Sequence, residues 1–170
     1  MNNSEESKIK KLVKEYVPYI IVLILVILIK KYVVSPIKVN GDSMMKTLHD
    51  GDIMILNIVG YRFDNIKRFD IVVVREEKEF LIKRIIGLPG EKVSYHDNQL
   101  YINGKKIKDS YGQGSTEDFS VKIPKNKYFV LGDNRENSLD SRFFGSFSKK
   151  KILGKTNLIV FPFSRIGVKK

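Results

Sequence analysis

An unbroken apolar run near the start of the chain constrains the fold most. From Tyr16 to Ile29 the sequence reads YVPYIIVLILVILI, uncharged and interrupted only by Pro18. Lys30 and Lys31 follow, and Tyr32, Val33 and Val34 are apolar again. Tyr16 through Val34 makes 19 residues, close to the ~20 that a helix needs to cross hydrocarbon. The two lysines must then snorkel to the headgroups, which their long stems permit. Tyr16, Tyr19 and Tyr32 stand near the ends of the run, where an aromatic belt belongs. A buried core helix would show polar positions at helical spacing, and this run is apolar on every side. A cleavable leader would be followed by a small-residue site, but the chain continues KKYVVSPIKV. These observations predict a basic tail over 1–15, a retained single-pass anchor over 16–34 and a domain over 36–170.

Charge suggests the orientation and the surroundings. Lys8, Lys10, Lys11 and Lys14 precede the run, and Lys30, Lys31 and Lys38 follow it. The positive-inside rule then favours a cytoplasmic N-terminus, with residues 36–170 outside the cell membrane. Lys plus Arg number 31 against 19 Asp plus Glu, a net charge of +12. A basic surface favours anionic partners. Beside an anchor, that means acidic lipid headgroups, and no nucleic acid is expected. The absence of Cys excludes disulfide scaffolds, Cys-ligated zinc and thiol nucleophiles. His49 and His96 are the two histidines, too few for a multi-histidine metal centre. No metal and no cofactor are expected.

Beyond Pro36 the pattern changes to short β-branched and aromatic runs bounded by turn residues. Examples are IMILNIV (53–59), DIVVV (70–74), FLIKRII (80–86), QLYING (99–104), KYFVLG (127–132) and NLIVF (157–161). The spacing predicts a mainly β, antiparallel domain of two sheets or a partial barrel. KVSYHDNQLYINGKK reads as two hairpins in series, turning at Asp97-Asn98 and Asn103-Gly104. DSYGQGSTEDFS (109–120) reads as a polar, mobile loop.

Three clusters carry candidate chemistry. In VNGDSMMKTLHDGD (39–52) a serine follows Gly-Asp between two predicted strands. Gly41 permits unusual dihedrals, and backbone N–H groups beside Ser43 can face an oxyanion; the same residues also make an ordinary turn. In LIKRIIGLPGE (81–91) Lys83 and Arg84 are adjacent inside an apolar strand. Adjacent strand side chains face opposite ways, so one cation must enter an apolar face or a cleft. Lost hydration there, and the charge of Arg84 nearby, would lower the Lys83 pKa, and a neutral amine is a competent base for a serine hydroxyl. A strand passing from core to surface with both cations solvated is the alternative. GDNRENSLDSRFFG (132–145) is dense in polar side chains, with Asp140 and Arg142 as a candidate ion pair.

Two rival constellations are weaker. His96-Asp97 invites a Ser-His-Asp triad but falls at a predicted hairpin turn. Ser43-Met44-Met45-Lys46 matches the S-x-x-K of penicillin-binding proteins and class A β-lactamases, but the S-D-N and K-T-G partners those need are absent from the sequence.

Taken in order, GDSMMKTL, GDIMIL, KRFDIVVV, LIKRIIGLPGE and LGDNRENSLDSRFFG behind an N-terminal anchor resemble the type I signal peptidases, or leader peptidases, in their short, single-anchor, Gram-positive-like form. The ending FPFSRIG also fits. The resemblance implies a Ser/Lys-dyad serine endopeptidase that cuts signal peptides from secreted preproteins after small residues, at Ala-X-Ala-like sites. By the same resemblance Ser43 matches the nucleophile, Lys83 the base and Ser138 the hydroxyl that holds the amine. Asp140 and Arg142 match the supporting ion pair, and Asp133 and Arg135 the ordered loop around it. The Ser43 N–H would donate to the oxyanion, and Gly41 stands where some members add a hydroxyl. Val39, Met44, Leu81 and Ile82 would line the shallow pockets. The family usually has proline where this chain has Lys46. LexA-type autoproteases share the G-x-S-M serine and a downstream lysine, but they need a DNA-binding helix pair and an Ala-Gly-like internal site, and this chain contains no Ala. A non-catalytic, membrane-tethered basic module explains the charge and the anchor but not the three clusters.

Overall fold

Residues 3–32, 34–59 and 65–169 are described in the computed structural model, with side chains over 10–28, 35–59 and 65–169. Met1 and Asn2 of the expected tail, Val33 of the expected anchor, and 60–64 and Lys170 of the expected domain lie outside the described residues. The first element is a helix, α1 (Asn3–Tyr32), with Pro18 inside it. Its described apolar side chains, Leu12 to Leu28, are exposed. Among the described residues no helix is long and apolar enough to cross a membrane.

Burial alternates with period two in β2 (Ile53–Asn57) and is continuous over 71–74, 83–87 and 128–131. The larger sheet also contains β1 (Val34–Lys38), β3 (Ile71–Glu76), β4 (Glu79–Gly87), β9 (Lys127–Leu131), β10 (Phe147–Ser148), β11 (Ile152–Phe161) and β12 (Gly167–Val168). Its order is β1-β2-β11-β3-β4-β9-β10, with β12 beside β11. A second sheet of β5 (Lys92–His96), β6 (Gln99–Ile102), β7 (Lys105–Ile107) and β8 (Phe119–Lys122) runs β7-β6-β5-β8. Every pairing between these strands is antiparallel, so the mainly β, two-sheet expectation holds.

The hairpin turns fall where the turn residues put them. Asp97 and Asn98 link β5 to β6 at φ of 47° and 60°, and Asn103 and Gly104 link β6 to β7 at 50° and 80°. Two successive left-handed residues match the twist of the flanking strands. β11 begins at Ile152, five residues before the run that announced it, and β8 takes in Phe119 and Ser120 at the end of the segment that reads as loop. In β11 glycine and lysine interrupt the apolar run near its start, whereas the Phe-Ser-Val-Lys of β8 alternates; neighbouring strands pair with both.

Among the described residues, three apolar clusters hold the sheets together. The one that positions the site gathers Val39, Met44, Leu48, Met54, Ile71 and Ile159. It pins the loop of residues 39–52 onto the larger sheet, and fully buried side chains such as Met44 and Leu48 each contribute about 1.5–3 kcal/mol. A second cluster, including Ile86, Val93, Tyr95 and Phe129, seals the smaller sheet against the larger.

Candidate active site

Ser43 lies in the turn-rich loop that leads from β1 to β2, and Lys83 lies in the middle of β4. Their functional atoms meet: Lys83 Nζ is 2.6 Å from Ser43 Oγ. Lys83 is only 3% exposed. Burial, the largest influence, holds its pKa down at about 8; the carboxylates of Asp140 and Asp133 pull it up, and the Arg142 guanidinium pushes it further down.

The charges that act on Lys83 here are those of Asp140, Arg142 and Asp133, whereas the neighbouring Arg84, expected to act by adjacency, is paired with Asp133. Arg84 faces away from Lys83, as alternation along a strand requires, and spends its charge on Asp133. Nε and Nη2 donate to the two Asp133 oxygens at 2.7 and 2.6 Å, with neither side chain exposed. Nη1 donates to the Phe69 carbonyl, and the Tyr111 ring stacks on the guanidinium at 3.8 Å. Thr47 Oγ1 donates to Asp133 at 2.6 Å, so this buried pair also grips the serine loop.

The segment 132–142 forms the other wall. The Asn134 N–H donates to the Ser43 carbonyl at 3.0 Å, and its side-chain amide donates to the Asp42 carbonyl at 3.2 Å. Gly132 is needed for close approach: a Cβ there would run into Ser138 Oγ and the Ser43 carbonyl. Ser138 Oγ therefore sits against the serine loop, buried and without a hydrogen-bond partner among the described residues. Asp140 is fully buried. It accepts from the Gly132 N–H at 3.0 Å and from Arg142 Nε and Nη2, each at 2.9 Å.

Arg135 pairs with Asp109. Nη2 donates to Asp109 and Nη1 to the Tyr95 hydroxyl, both at 2.5 Å, and Tyr95 in turn donates to Asp109. Burial is the main reason the Tyr95 hydroxyl is held far above its ordinary pKa. Burial is the largest influence on Asp109 and opposes its ionisation, but the Arg135 charge together with hydrogen bonds from Tyr95, Arg135 and the Tyr111 N–H outweighs it and lowers that pKa. The 109–120 segment, read as mobile from its composition, is hydrogen-bonded at several points. The Gln113 N–H donates to the Asp133 carbonyl, the Arg135 N–H to the Gln113 carbonyl, and the Ser115 N–H to the Glu136 side chain.

The remaining candidates are distributed less evenly. The Gly41 N–H donates to the Asp50 carboxylate at 2.8 Å, and Gly41 has a φ of +80°. Val39 and Met44 are buried in the core cluster, and Leu81 packs at the edge of another. Ile82 lines an open groove of about 1260 Å³, together with Ile37, Asn40, Leu56, Val73 and Phe80. His96 is tied to Asp118 and Asp97 in an exposed turn, and the Asp118 hydrogen bond raises its pKa; the residue bonded to Ser43 Oγ is Lys83, not this histidine. Lys46 is exposed at a φ of +37°. Sequence reasoning missed Thr47, Gly132 and Asn134, which lie inside motifs already singled out. It also missed Tyr95 and Asp109, for which no local signal exists.

Chemically, the arrangement pairs a hydroxyl with an amine that can lose its proton near neutral pH. Comparison with known proteins identifies the family. The family described as "Signal peptidase, peptidase S26" matches residues 11–161. Signal peptidase I of Bacillus amyloliquefaciens is 44% identical over 160 residues, covering 86% of each chain. Signal peptidase I S of Bacillus subtilis is 38% identical, covering 98% of each, and signal peptidase IB of Staphylococcus aureus is 36% identical, covering 91% of this chain and 92% of its own. The crystal structure of a signal peptidase I from Enterococcus faecalis superposes with a TM-score of 0.51 at 35% identity, covering 54% of this chain and 97% of that one. The chain belongs to the S26 signal peptidase family and is a serine endopeptidase.

Proposed function

We propose that this endopeptidase uses Ser43 as nucleophile and Lys83 as general base to remove signal peptides from secreted preproteins, cutting after small residues at Ala-X-Ala-like sites. The observation that carries the reading is the 2.6 Å separation of Lys83 Nζ and Ser43 Oγ, with the amine dry enough to have a pKa of about 8. An uncharged amine takes the hydroxyl proton as Ser43 Oγ attacks the scissile carbonyl. The Ser43 N–H donates to the oxyanion. Lys83 then passes the proton to the leaving amine, and a water molecule, activated by the same amine, releases the acyl group. The charges of Asp140 and Arg142 act on Lys83, and Ser138 Oγ lies near the Ser43 carbonyl; in this reading they keep the dyad in register. The substrate class follows the relatives, which carry the name signal peptidase I.

Two strand edges suit an extended peptide. β1 ends the larger sheet, and β9 covers β4 only from Arg84 onward. In the alternating order β1-β2-β11-β3-β4 these two strands run in the same direction, one toward Ser43 and the other through Lys83. The apolar groove between them can accept a peptide by edge pairing, with side-chain pockets setting specificity. We further propose that the 16–34 segment anchors the enzyme in the cell membrane, N-terminus in the cytoplasm and catalytic domain outside, resting on lipid. Tethering keeps Ser43 close to membrane-inserted substrates and raises effective concentration.

Incubation with a purified preprotein tests the proposal. Ser43→Ala and Lys83→Ala should each abolish processing, while Lys46→Ala should not. Processing by Ser43→Ala, or its loss in Lys46→Ala with Lys83→Ala active, would overturn the dyad. Protease added to intact cells should digest the 36–170 domain; protection of that domain would reverse the proposed topology.

A further inference from the structure

The loop of residues 39–52 carries Ser43, and its base is closed by backbone bonds. The Val39 N–H donates to the Asp52 carbonyl at 2.8 Å, and the Gly51 N–H to the Val39 carbonyl at 3.0 Å. The Asp52 side chain sits at this closure and is only 1% exposed. It accepts the His49 N–H at 2.8 Å. Its other partner comes from a 3-10 turn, Phe163–Arg165, beyond the end of β11. Arg165 Nε and Nη2 donate to the two Asp52 oxygens at 2.9 and 3.0 Å, a bidentate fork. Arg165 also reaches the Thr47 carbonyl at 3.4 Å and approaches His49 Nε2 at 3.3 Å. One guanidinium thus touches the loop at residues 47, 49 and 52.

We propose that Arg165 is a positioning residue: by clamping Asp52 it fixes the 39–52 loop so that Ser43 Oγ stays within hydrogen-bond reach of Lys83 Nζ. The inference rests on the Ser43–Lys83 reading above. Its physical basis is that a carboxylate this buried cannot be left without its cation. Removing the guanidinium forces Asp52 to draw in water or a proton, and either change moves the closure on which the serine loop is built. A displacement of about 1 Å at a nucleophile can cost about 100-fold in rate.

The test is steady-state kinetics on a preprotein with the full-length enzyme, with thermal unfolding measured on each variant. Arg165→Gln should lower kcat about 10- to 100-fold while KM stays within about twofold. Arg165→Lys keeps the charge without the fork and should recover part of that loss. Asp52→Asn combined with Arg165→Gln leaves no buried charge unpaired and should turn over faster than Arg165→Gln alone. Wild-type kcat in Arg165→Gln, or a rise in KM alone, would overturn the clamp. So would a loss of kcat in Arg165→Gln that disappears when variants are compared at equal distance below their melting temperatures. Should Arg165→Gln not fold, the same kinetics on Arg165→Lys decide: kcat below wild type at unchanged KM supports the clamp, and wild-type kcat overturns it. Ser43→Ala and Lys83→Ala run alongside. Residual processing in those two sinks the dyad reading itself, whereas their inactivity beside a wild-type Arg165→Gln sinks only the clamp.

Discussion

Arg84 closes on Asp133 in a bidentate pair, Nη2 to Oδ2 at 2.6 Å, with both side chains wholly withdrawn from solvent. The pair lies one residue from the amine that reaches Ser43. It joins β4 to the 132–142 segment and, through Thr47, to the serine loop. Such a pair acts as a fixed joint: its net contribution is small while both partners are present, and removing one strands the other.

Arg84→Met should therefore cost about 3–5 kcal/mol of stability. Arg84→Lys should be intermediate, because a single ammonium makes neither the fork nor the stack on Tyr111. Urea unfolding of the two variants measures this; a loss below 1 kcal/mol in Arg84→Met would show that the joint bears no load.

Lys83 links activity and stability to pH. Its pKa is about 8 in the fold and 10.5 for an ordinary lysine. Lowered in the fold, this base binds its proton less tightly there than in the unfolded chain. Stability thus rises as pH climbs from about 8 toward 10.5, and below 8 the fold carries the full burial cost, about 3 kcal/mol. Lys83→Met should be inactive yet more stable than wild type at pH 7 by up to about 3 kcal/mol, the gain shrinking toward pH 10.5. Urea midpoints at pH 7 and 10 check the trend. Wild-type turnover should fall as pH drops through about 8, and a flat profile from about pH 5 to 9 would contradict a lysine base.

Gly132→Ala introduces a Cβ with no room for it, between Ser138 Oγ and the Ser43 carbonyl. Overpacking of this kind costs about 1–3 kcal/mol. The strain falls on the nucleophile's own backbone, so kcat should drop about 100-fold. Kinetics and melting curves on this variant give both numbers.

Lys46 adopts a φ of +37°, a region closed to proline, whose ring holds φ near −65°. Lys46→Pro, the residue usual in the family, should destabilise this chain by about 1–3 kcal/mol and slow it, because the loop must rearrange. Lys46→Gly should be tolerated with activity retained, since glycine takes positive φ without steric cost. Melting temperatures rank the three proteins, and a Lys46→Pro variant as stable as wild type would refute the strain.

Local features were legible in the sequence because their causes are local. β-branched and apolar runs over 70–74 and 80–86 mark β3 and β4, and Asp97-Asn98 and Asn103-Gly104 favour left-handed turns. The 109–120 segment misled for the opposite reason. Its composition is that of a solvated loop, and its order comes from bonds to residues 133–136, which nothing in the segment reveals.

By itself the sequence determined the apolar run at the start, the strand periods, the hairpin turns and which residue types were available for chemistry. Only tertiary structure decided that Lys83 is dry while its neighbour Arg84 is spent on Asp133, that Arg135 serves Asp109, and that Arg165 reaches back to Asp52. Those pairings join segments 26 to 113 residues apart. Periodicity and turn preference act over a few residues, whereas burial and ion pairing depend on which surfaces the completed sheets bring face to face.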